Sequence, residues 1–326
     1  MSPRSLASVV VVNWNGRPLL ERFLGHVVER TLADDPGHEV IVVDNGSADG
    51  SSEYVAASHK AVRLVQLPEN LGFGGGNNAG ADAARHPILV LLNNDVDPCE
   101  GFLAPVLSHF ADPAVFAVMM KSLIPSRGMA EEAVNQLRFR RGRLTPVADP
   151  QFAARAIKPL EVLYACGGMV ALNRARFLEL GGFDELFSPA YWEDVDLSIR
   201  ARRRGWRVLY EPASVVHHQH RSTTFRPELK AAYQIVAARN WHLLFWKHFG
   251  GPGLWGRYLA WETALAASEL LCGDPSRLRA LAAALRRLPQ AWRARRSEAR
   301  TGGEDAASIL TRFGAFEWKS AGTDNG

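Results

Sequence analysis

Amide and carboxylate side chains gather in short runs directly behind apolar stretches, and these runs are the first candidates for chemistry. Asn93-Asn94-Asp95-Val96-Asp97 follows Ile88–Leu92. Acids at a strand end suit a hard divalent cation, which takes oxygen ligands and bridges to phosphates, although an acidic turn that merely ends a strand has the same composition. Tyr191-Trp192-Glu193-Asp194-Val195-Asp196-Leu197 leads into the helical pattern SIRARRRGW. Asp194 falls at the start of that helix, where free backbone N–H groups favour an ionised carboxylate. An ionised carboxylate near a substrate hydroxyl is what a general base requires. Asp196 and Arg200, four apart, can pair on one helix face, and helix capping is the plainer role for Asp196. Val215-Val216-His217-His218-Gln219-His220 holds three histidines in four residues, which suggests metal contact or phosphate handling. Consecutive strand residues point to opposite faces, so His217 and His218 do not easily share one ligand. The run Asn70-Leu71-Gly72-Phe73-Gly74-Gly75-Gly76-Asn77-Asn78 fits a close approach of backbone to a ligand, or a tight packing turn. It is not G-x-G-x-x-G, because Asn77 stands where the last glycine belongs, and no G-K-[ST] follows.

The elements that must position these residues alternate in type. Ser8–Val12, Glu39–Val43, Val62–Leu67 and Ile88–Leu92 are short β-branched or apolar runs; helical spacing lies between them at Leu19–Val28 and through Asn77–Ala84. Strands apolar on both faces and separated by helices indicate a mostly parallel α/β sheet covered on both sides. Ligands bind outside the carboxyl ends of such strands. Asn13–Asn15, Asp44–Ser47 and Asn93–Asp95 each sit at one of those ends and aim at one crevice. Residues 125–160 are rich in proline and glycine, with RFRRGR at 138–143, and read as a hairpin or mobile excursion. Beyond the breaker GGPG at 250–253, Leu278, Leu281, Leu285, Leu288 and Trp292 recur at helical spacing. Arg277, Arg279, Arg286, Arg287, Arg293, Arg295 and Arg296 stand among them with no acid between. This is a basic amphipathic helix. The chain therefore divides into a catalytic-type domain at 1–250, a helical appendage at 251–300 and a frayed tail at 301–326.

A length of 326 residues allows a full core, and 47% hydrophobic with 22% charged residues is globular composition. Three dispersed cysteines form neither a disulfide framework nor a zinc cluster, so a reduced, cytoplasmic setting is expected. No stretch reads as a signal peptide or a membrane-spanning helix. The densest basic cluster lies in the appendage and not across an ordered face, which argues against nucleic acid as a partner.

Taken in order, VVVVNWNG, VVDNGS, ENLGFGGGNN, LLNNDV, GGMVALNR, GGFDELFSPAYWEDVDLSIR and YEPASVVHH resemble the family 2 glycosyltransferases over roughly residues 6–250. The pattern is most similar to rhamnosyltransferase-type bacterial members that build surface polysaccharides. The resemblance implies a GT-A fold and inverting transfer of a sugar, rhamnose favoured, from a nucleotide diphosphate (dTDP-, UDP- or GDP-linked) to a saccharide or lipid-linked acceptor. It implies Mg²⁺ or Mn²⁺ as cofactor. At matching positions, Asn13 and Asp44 would contact the nucleotide, Asp44 at the base, while Asn70, Gly72, Gly74 and Asn77 would line the donor pocket. Asn93-Asn94-Asp95 would occupy the place of the family's Asp-x-Asp motif, with Asn93 in place of its first acid. Asp95 would then be the metal-binding acid, with His217 completing the site and Asp97 ranked second. Asp194 would be the base and Glu193 its acidic neighbour. The Q-x-x-R-W motif of processive synthases is missing, which points to addition of one sugar or a few. Two rivals remain: a nucleotidyltransferase, which would want a basic glycine-rich loop that VVVVNWNG lacks, and a non-catalytic nucleotide-sugar binder. The basic helix, with the aromatic stretch Trp241–Trp261, suits an anionic membrane surface or, equally, packing on protein.

Overall fold

The structure is a computed structural model that describes residues 5–124, 129–130, 136–140, 143–147, 156–219 and 227–313. The first half runs β1 (Ala7–Asn13), α1 (Arg17–Asp34), β2 (Glu39–Asp44), α2 (Ser51–Ser58), β3 (Val62–Gln66), α3 (Gly72–Ala83), β4 (Ile88–Asn93) and β5 (Val96–Pro98). Then come α4 (Leu103–Ser108), β6 (Val115–Ile124), β7 (Met129–Ala130), β8 (Gln136–Arg140), β9 (Arg143–Val147), β10 (Leu160–Glu161), β11 (Met169–Asn173), α5 (Arg174–Glu179), α6 (Glu193–Arg203) and β12 (Arg207–His218). The chain continues through α7 (Pro227–His248), α8 (Pro252–Leu271), α9 (Ser276–Arg286), α10 (Leu288–Arg300) and α11 (Ala306–Arg312).

The main sheet has the order β10-β12-β6-β11-β4-β1-β2-β3. β1 pairs in parallel with both β2 and β4, and β2 with β3. β11 is antiparallel to both of its neighbours, and β5 pairs antiparallel with the end of β12. The sheet is thus mostly parallel in its first half and mixed in its second. Alternation along the strands feeds two cores. Val9, Val11, Val40, Val42 and Val90 pack under α1 and α4, while Val10, Ile41, Val43, Leu89 and Leu91 pack with α3, α5 and α6. Full burial of such a side chain contributes roughly 1.5–3 kcal/mol, so residues apolar on both faces leave these strands no solvent-facing alternative.

The glycine run forms the start of α3, which begins at Gly72, five residues before the expected helix. Each helical glycine costs about 1 kcal/mol relative to alanine. What offsets it is proximity: a Cβ on Gly76 would sit 2.6 Å from Val12 Cγ1, and one on Gly80 2.3 Å from Val10 Cγ1. The run lets the helix lie directly on β1.

The helical appendage at 251–300 packs on the rest of the chain. A third core joins Leu163, Phe187, Val195 and Ile199 to Trp241, Phe245, Trp246, Phe249 and Tyr258, and continues through Ala284 and Ala291 to Ile309 and Leu310. Of the two roles open to the aromatic stretch, most of its side chains take that of packing on protein. Residues 306–312 form a helix with Ala306, Ile309 and Leu310 buried, so the first part of the expected frayed tail is packed. In the 125–160 region, β8 and β9 pair as the expected hairpin. Residues 125–128, 131–135, 141–142 and 148–155, with them part of the basic patch, and also His220 and residues 314–326, lie outside the described residues.

Candidate active site

The carboxyl ends of β1, β2 and β4 lie side by side, with Asn13 opposite Asp44 and Val12 opposite Asn93. The polar loops leaving them bond to one another. Asn13 Nδ2 donates to Ser51 Oγ at 2.9 Å, and Asn13 Oδ1 accepts from Asn94 Nδ2 at 2.8 Å. Asp44 accepts from the Ser47 amide at 3.1 Å and from the Ser52 hydroxyl. Both Asn13 and Asp44 are buried. They brace the floor of the crevice. Asn45, which the sequence reading passed over, ties this floor to the donor-pocket candidates. Its Nδ2 donates to Asn70 Oδ1 at 3.1 Å and Gly72 O at 3.0 Å, while its Oδ1 accepts from Leu71 N at 2.9 Å. Asn70 also accepts from Gly72 N at 2.8 Å, and Asn77 Nδ2 is used within α3, on Phe73 O at 2.9 Å. Gly74 is close-packed, since a Cβ there would meet Phe183 Cβ at 3.0 Å. Asn93 is equally tight, its side chain lying where a Cβ on Gly168 would be, and its backbone N donates to Gly168 O at 2.9 Å.

Asp95 follows β4 and is buried, with His218 Nε2 3.2 Å from its Oδ1. The expectation named His217, whereas the histidine beside Asp95 is His218. In the β5–β12 ladder His217 lies opposite Asp97 and His218 opposite Val96. Alternation sends the two rings to opposite faces, and it is His218 that turns to Asp95. His217 Nδ1 is buried without a hydrogen-bond partner among the described residues. Asp97 also departs from expectation, because its carboxylate pairs with Arg30 and lies 3.2 Å from His26 Nδ1, both on α1. Among the described residues no group of three or more His, Cys, Asp or Glu side chains forms a metal cluster. Asp95 and His218 still offer one hard oxygen and one imidazole nitrogen, which fits a divalent ion that takes its other ligands from phosphate and water.

Glu193 and Asp194 open α6, behind two residues in the left-handed region, Tyr191 at φ 77° and Trp192 at φ 76°. Bulky side chains rarely adopt that conformation, and it persists where surroundings over-determine it. Here the surroundings are α7. Asn240, fully buried, points its Nδ2 at three carbonyls of the approach loop: Phe187, Ala190 at 2.9 Å and Tyr191 at 3.0 Å. Arg239 donates to Ser188 O, Trp192 Nε1 donates to Ala237 O at 3.1 Å, and Arg287 reaches Leu186 O at 2.8 Å. The same loop is stitched to α3, with Phe73 N on Pro189 O at 2.7 Å and Asn78 exchanging two 2.9 Å bonds with Phe183. The acids are thereby held against the wall of the crevice.

Their electrostatics differ. Glu193 is buried, and its Oε2 has no hydrogen-bond partner among the described residues. Burial, and then the charge of Asp194, push its carboxyl up to about 8. Asp194 is half-buried and accepts from Val195 N at 2.7 Å. Asp196 is a structural anion. Burial alone would raise its pKa, but Arg200, Lys247 and His248 hold it well below the ordinary carboxylate range. Arg200 Nε donates to its Oδ2 at 2.7 Å, and Lys247 and His248 lie 2.6 and 2.7 Å from its Oδ1. Lys247 also donates to Asp184 Oδ2 at 2.7 Å, so the cluster locks α6 to the end of α7. A cleft of about 370 Å³ at the opposite strand ends, lined by His109, Asp112, Glu161 and Arg207, contains none of the motif residues.

With this geometry in hand, known proteins give the family. The model described as Glycosyl transferase family 2 matches residues 8–181, more than half of the chain. The chain belongs to that family. It is 32% identical over 197 residues to a pre-mycofactocin glycosyltransferase of Mycobacterium tuberculosis, covering 60% of this chain and 40% of that relative's length. It is 29% identical to the N-acetylglucosaminyl-diphospho-decaprenol L-rhamnosyltransferase of the same organism, over 73% of this chain and 86% of that protein. Among solved structures, the mannosyltransferase PcManGT from Pyrobaculum calidifontis, in complex with GDP-Man and Mn²⁺, superposes with a TM-score of 0.55 at 22% identity, covering 96% of this chain and 81% of that one. GalNAc-T7 with UDP, GalNAc and Mn²⁺ superposes with a TM-score of 0.60 at 20% identity, over 76% of this chain and 49% of that one. The fold is the GT-A type, a mixed sheet with flanking and C-terminal helices.

Proposed function

We propose that this family 2 member transfers a single sugar, rhamnose favoured, with inversion from a nucleotide diphosphate to a hydroxyl of a saccharide or lipid-linked saccharide. The work would take place at the cytoplasmic face of a bacterial membrane, in the synthesis of surface polysaccharide. One observation carries the reading: the Asp95–His218 pair sits at the carboxyl edge of the sheet, and the Glu193-Asp194 helix start is stitched to the same edge through α3. The rhamnosyltransferase relative, aligned over most of its length, supports rhamnose and a lipid diphosphate acceptor.

The floor built by Asn13, Asp44, Asn45, Asn70 and the first turn of α3 would seat the nucleotide, with Asn93 and Asn94 at its ribose side. Asp95 and His218 would hold Mg²⁺ or Mn²⁺, whose charge stabilises the departing diphosphate when bound. Asp194 takes the proton of the acceptor hydroxyl as that oxygen attacks the anomeric carbon from the face opposite the leaving group. A donor screen tests this. Purified protein with Mg²⁺ or Mn²⁺ is tried against dTDP-rhamnose, UDP-sugars and GDP-sugars for thermal shift and nucleotide diphosphate release. The expected result is a response to one donor that vanishes with chelator and weakens in Asp95→Ala. Silence across the panel by a folded protein would put the binding-protein reading in its place.

A further inference from the structure

Of the seven arginines between Ser276 and Ser297, six divide by direction into two sets of three, and the seventh, Arg296, is exposed outside both sets. Three are clamps: Arg277 pairs with Glu262 at 3.1 Å and Glu269 at 2.9 Å, Arg287 donates to Leu186 O, and Arg295 donates to Trp246 O at 2.9 Å. Arg279, Arg286 and Arg293 are exposed, spaced by seven residues. Beside them, at the same spacing, run Leu278, Leu285 and Trp292, which are 39%, 51% and 47% exposed. Seven residues are close to two helical turns, so each set forms a stripe on one face. The opposite face is fixed by Ala280, Ala284 and Ala291, all fully buried, the last two in the core that includes α7. One residue, Arg287, separates α9 from α10, and the outward pattern continues on both sides of it. No acid occurs from Ser276 to Ser297; Glu298, near the end of α10, faces Arg203 and Arg204, and Asp274, just before α9, lies near Arg279 alone of the stripe.

We propose that this face docks on an anionic lipid bilayer. Leu278, Leu285 and Trp292 would enter the headgroup boundary, and Arg279, Arg286 and Arg293 would lie among lipid phosphates. The charge pattern selects this occupant: a second copy meeting the stripe face to face would set arginine against arginine. The stripe differs from the membrane surface that the sequence suggested, because the aromatic side chains at 241–258 are largely core and Leu281 and Leu288 pack inward. The inference rests on the reading that the acceptor is met at a membrane, but its test measures binding, so loss of docking and loss of transfer are separable.

The full chain is floated with vesicles of phosphatidylcholine alone and of one part phosphatidylglycerol to two parts phosphatidylcholine. We expect recovery only with the anionic vesicles, and its disappearance at high salt as the charges are screened. Arg279→Ala/Arg286→Ala/Arg293→Ala should lower partitioning about 100-fold, taking roughly fivefold per arginine at an anionic surface. Leu278→Ser/Leu285→Ser/Trp292→Ser should lower it as well. Both variants should melt with the wild type and retain turnover on a soluble acceptor, since all six side chains face solvent. Equal recovery of wild type and variants, no recovery of wild type, or equal recovery with uncharged vesicles would each overturn the proposal. So would a dimer in sedimentation that the same substitutions dissolve, which would assign the face to a second copy.

Discussion

The floor of the donor crevice and the loop that carries the acids are built by different means. Asn13, Asp44, Asn45, Asn70 and Asn93 stand at ends of adjacent strands or in the turns beside them, and apart from the bond of Asn93 to Gly168 their bonds run to loops of the same half of the chain. Parallel pairing alone brings them together. The approach to Glu193 and Asp194 is instead held by Asn240, Arg239, Lys247, His248 and Arg287, which lie about 50 to 100 positions later. A strand end positions its residues through the sheet; a left-handed turn such as Tyr191-Trp192 has to be imposed from outside. The difference teaches that donor binding and base placement are separable by mutation.

The largest effect is expected at Asp194. Asp194→Asn should reduce turnover by about 10²–10⁴-fold while leaving the metal-dependent thermal shift with donor intact. Loss of the donor response in the same variant would mean the two regions act as one unit. Asn240 comes next. Asn240→Ala removes the amide that faces three carbonyls, and a displacement near 1 Å at the base costs about 10²-fold in rate. We expect kcat to fall with donor affinity unchanged. Asn240→Asp should not rescue it, because a carboxylate turns acceptors toward acceptors. If kcat and donor affinity fall together, α7 supports both regions and the comparison fails. A smaller effect separates the two histidines: His218→Ala should weaken the metal-dependent donor response about tenfold or more, and His217→Ala should leave it near wild type. The reverse result, read by titrating Mn²⁺ at fixed donor, would restore the assignment made from sequence.

Much of this was legible in the residues because it was local. Runs apolar on both faces announced buried parallel strands, and the polar clusters behind them announced one crevice. Alternation along a strand already said that only one of His217 and His218 could meet Asp95, but not which; that depended on how β5 pairs with β12, a register no local pattern carries. Asp97 was misplaced for a related reason, since its partners His26 and Arg30 come from a helix 67 or more positions earlier. The basic stretch, expected as one amphipathic helix, is two helices parted at Arg287: spacing locates faces, while only tertiary contacts show that Arg277, Arg287 and Arg295 are clamps. Asn240 gave no signal at all, because an asparagine within a helical pattern looks the same whether it meets water or three carbonyls.

The smallest of the expected effects concerns stability and isolates the buried half of the acid pair. Glu193 is held up at about 8 by burial and by Asp194, whereas the unfolded chain ionises it near its ordinary value of 4.5. The folded state therefore binds a proton that the unfolded state releases across the window from about 4.5 to 8, and stability falls as pH rises through that window. Asp196 works with the opposite sign, because its depressed pKa gives stability that is present above the ordinary carboxylate range and lost only as pH falls below it. Glu193→Gln keeps the shape and removes the titration. Its melting temperature should exceed that of wild type at pH 8–9, and the difference should shrink toward zero as pH approaches 4.5. A difference independent of pH would mean that Glu193 is charged in the folded protein.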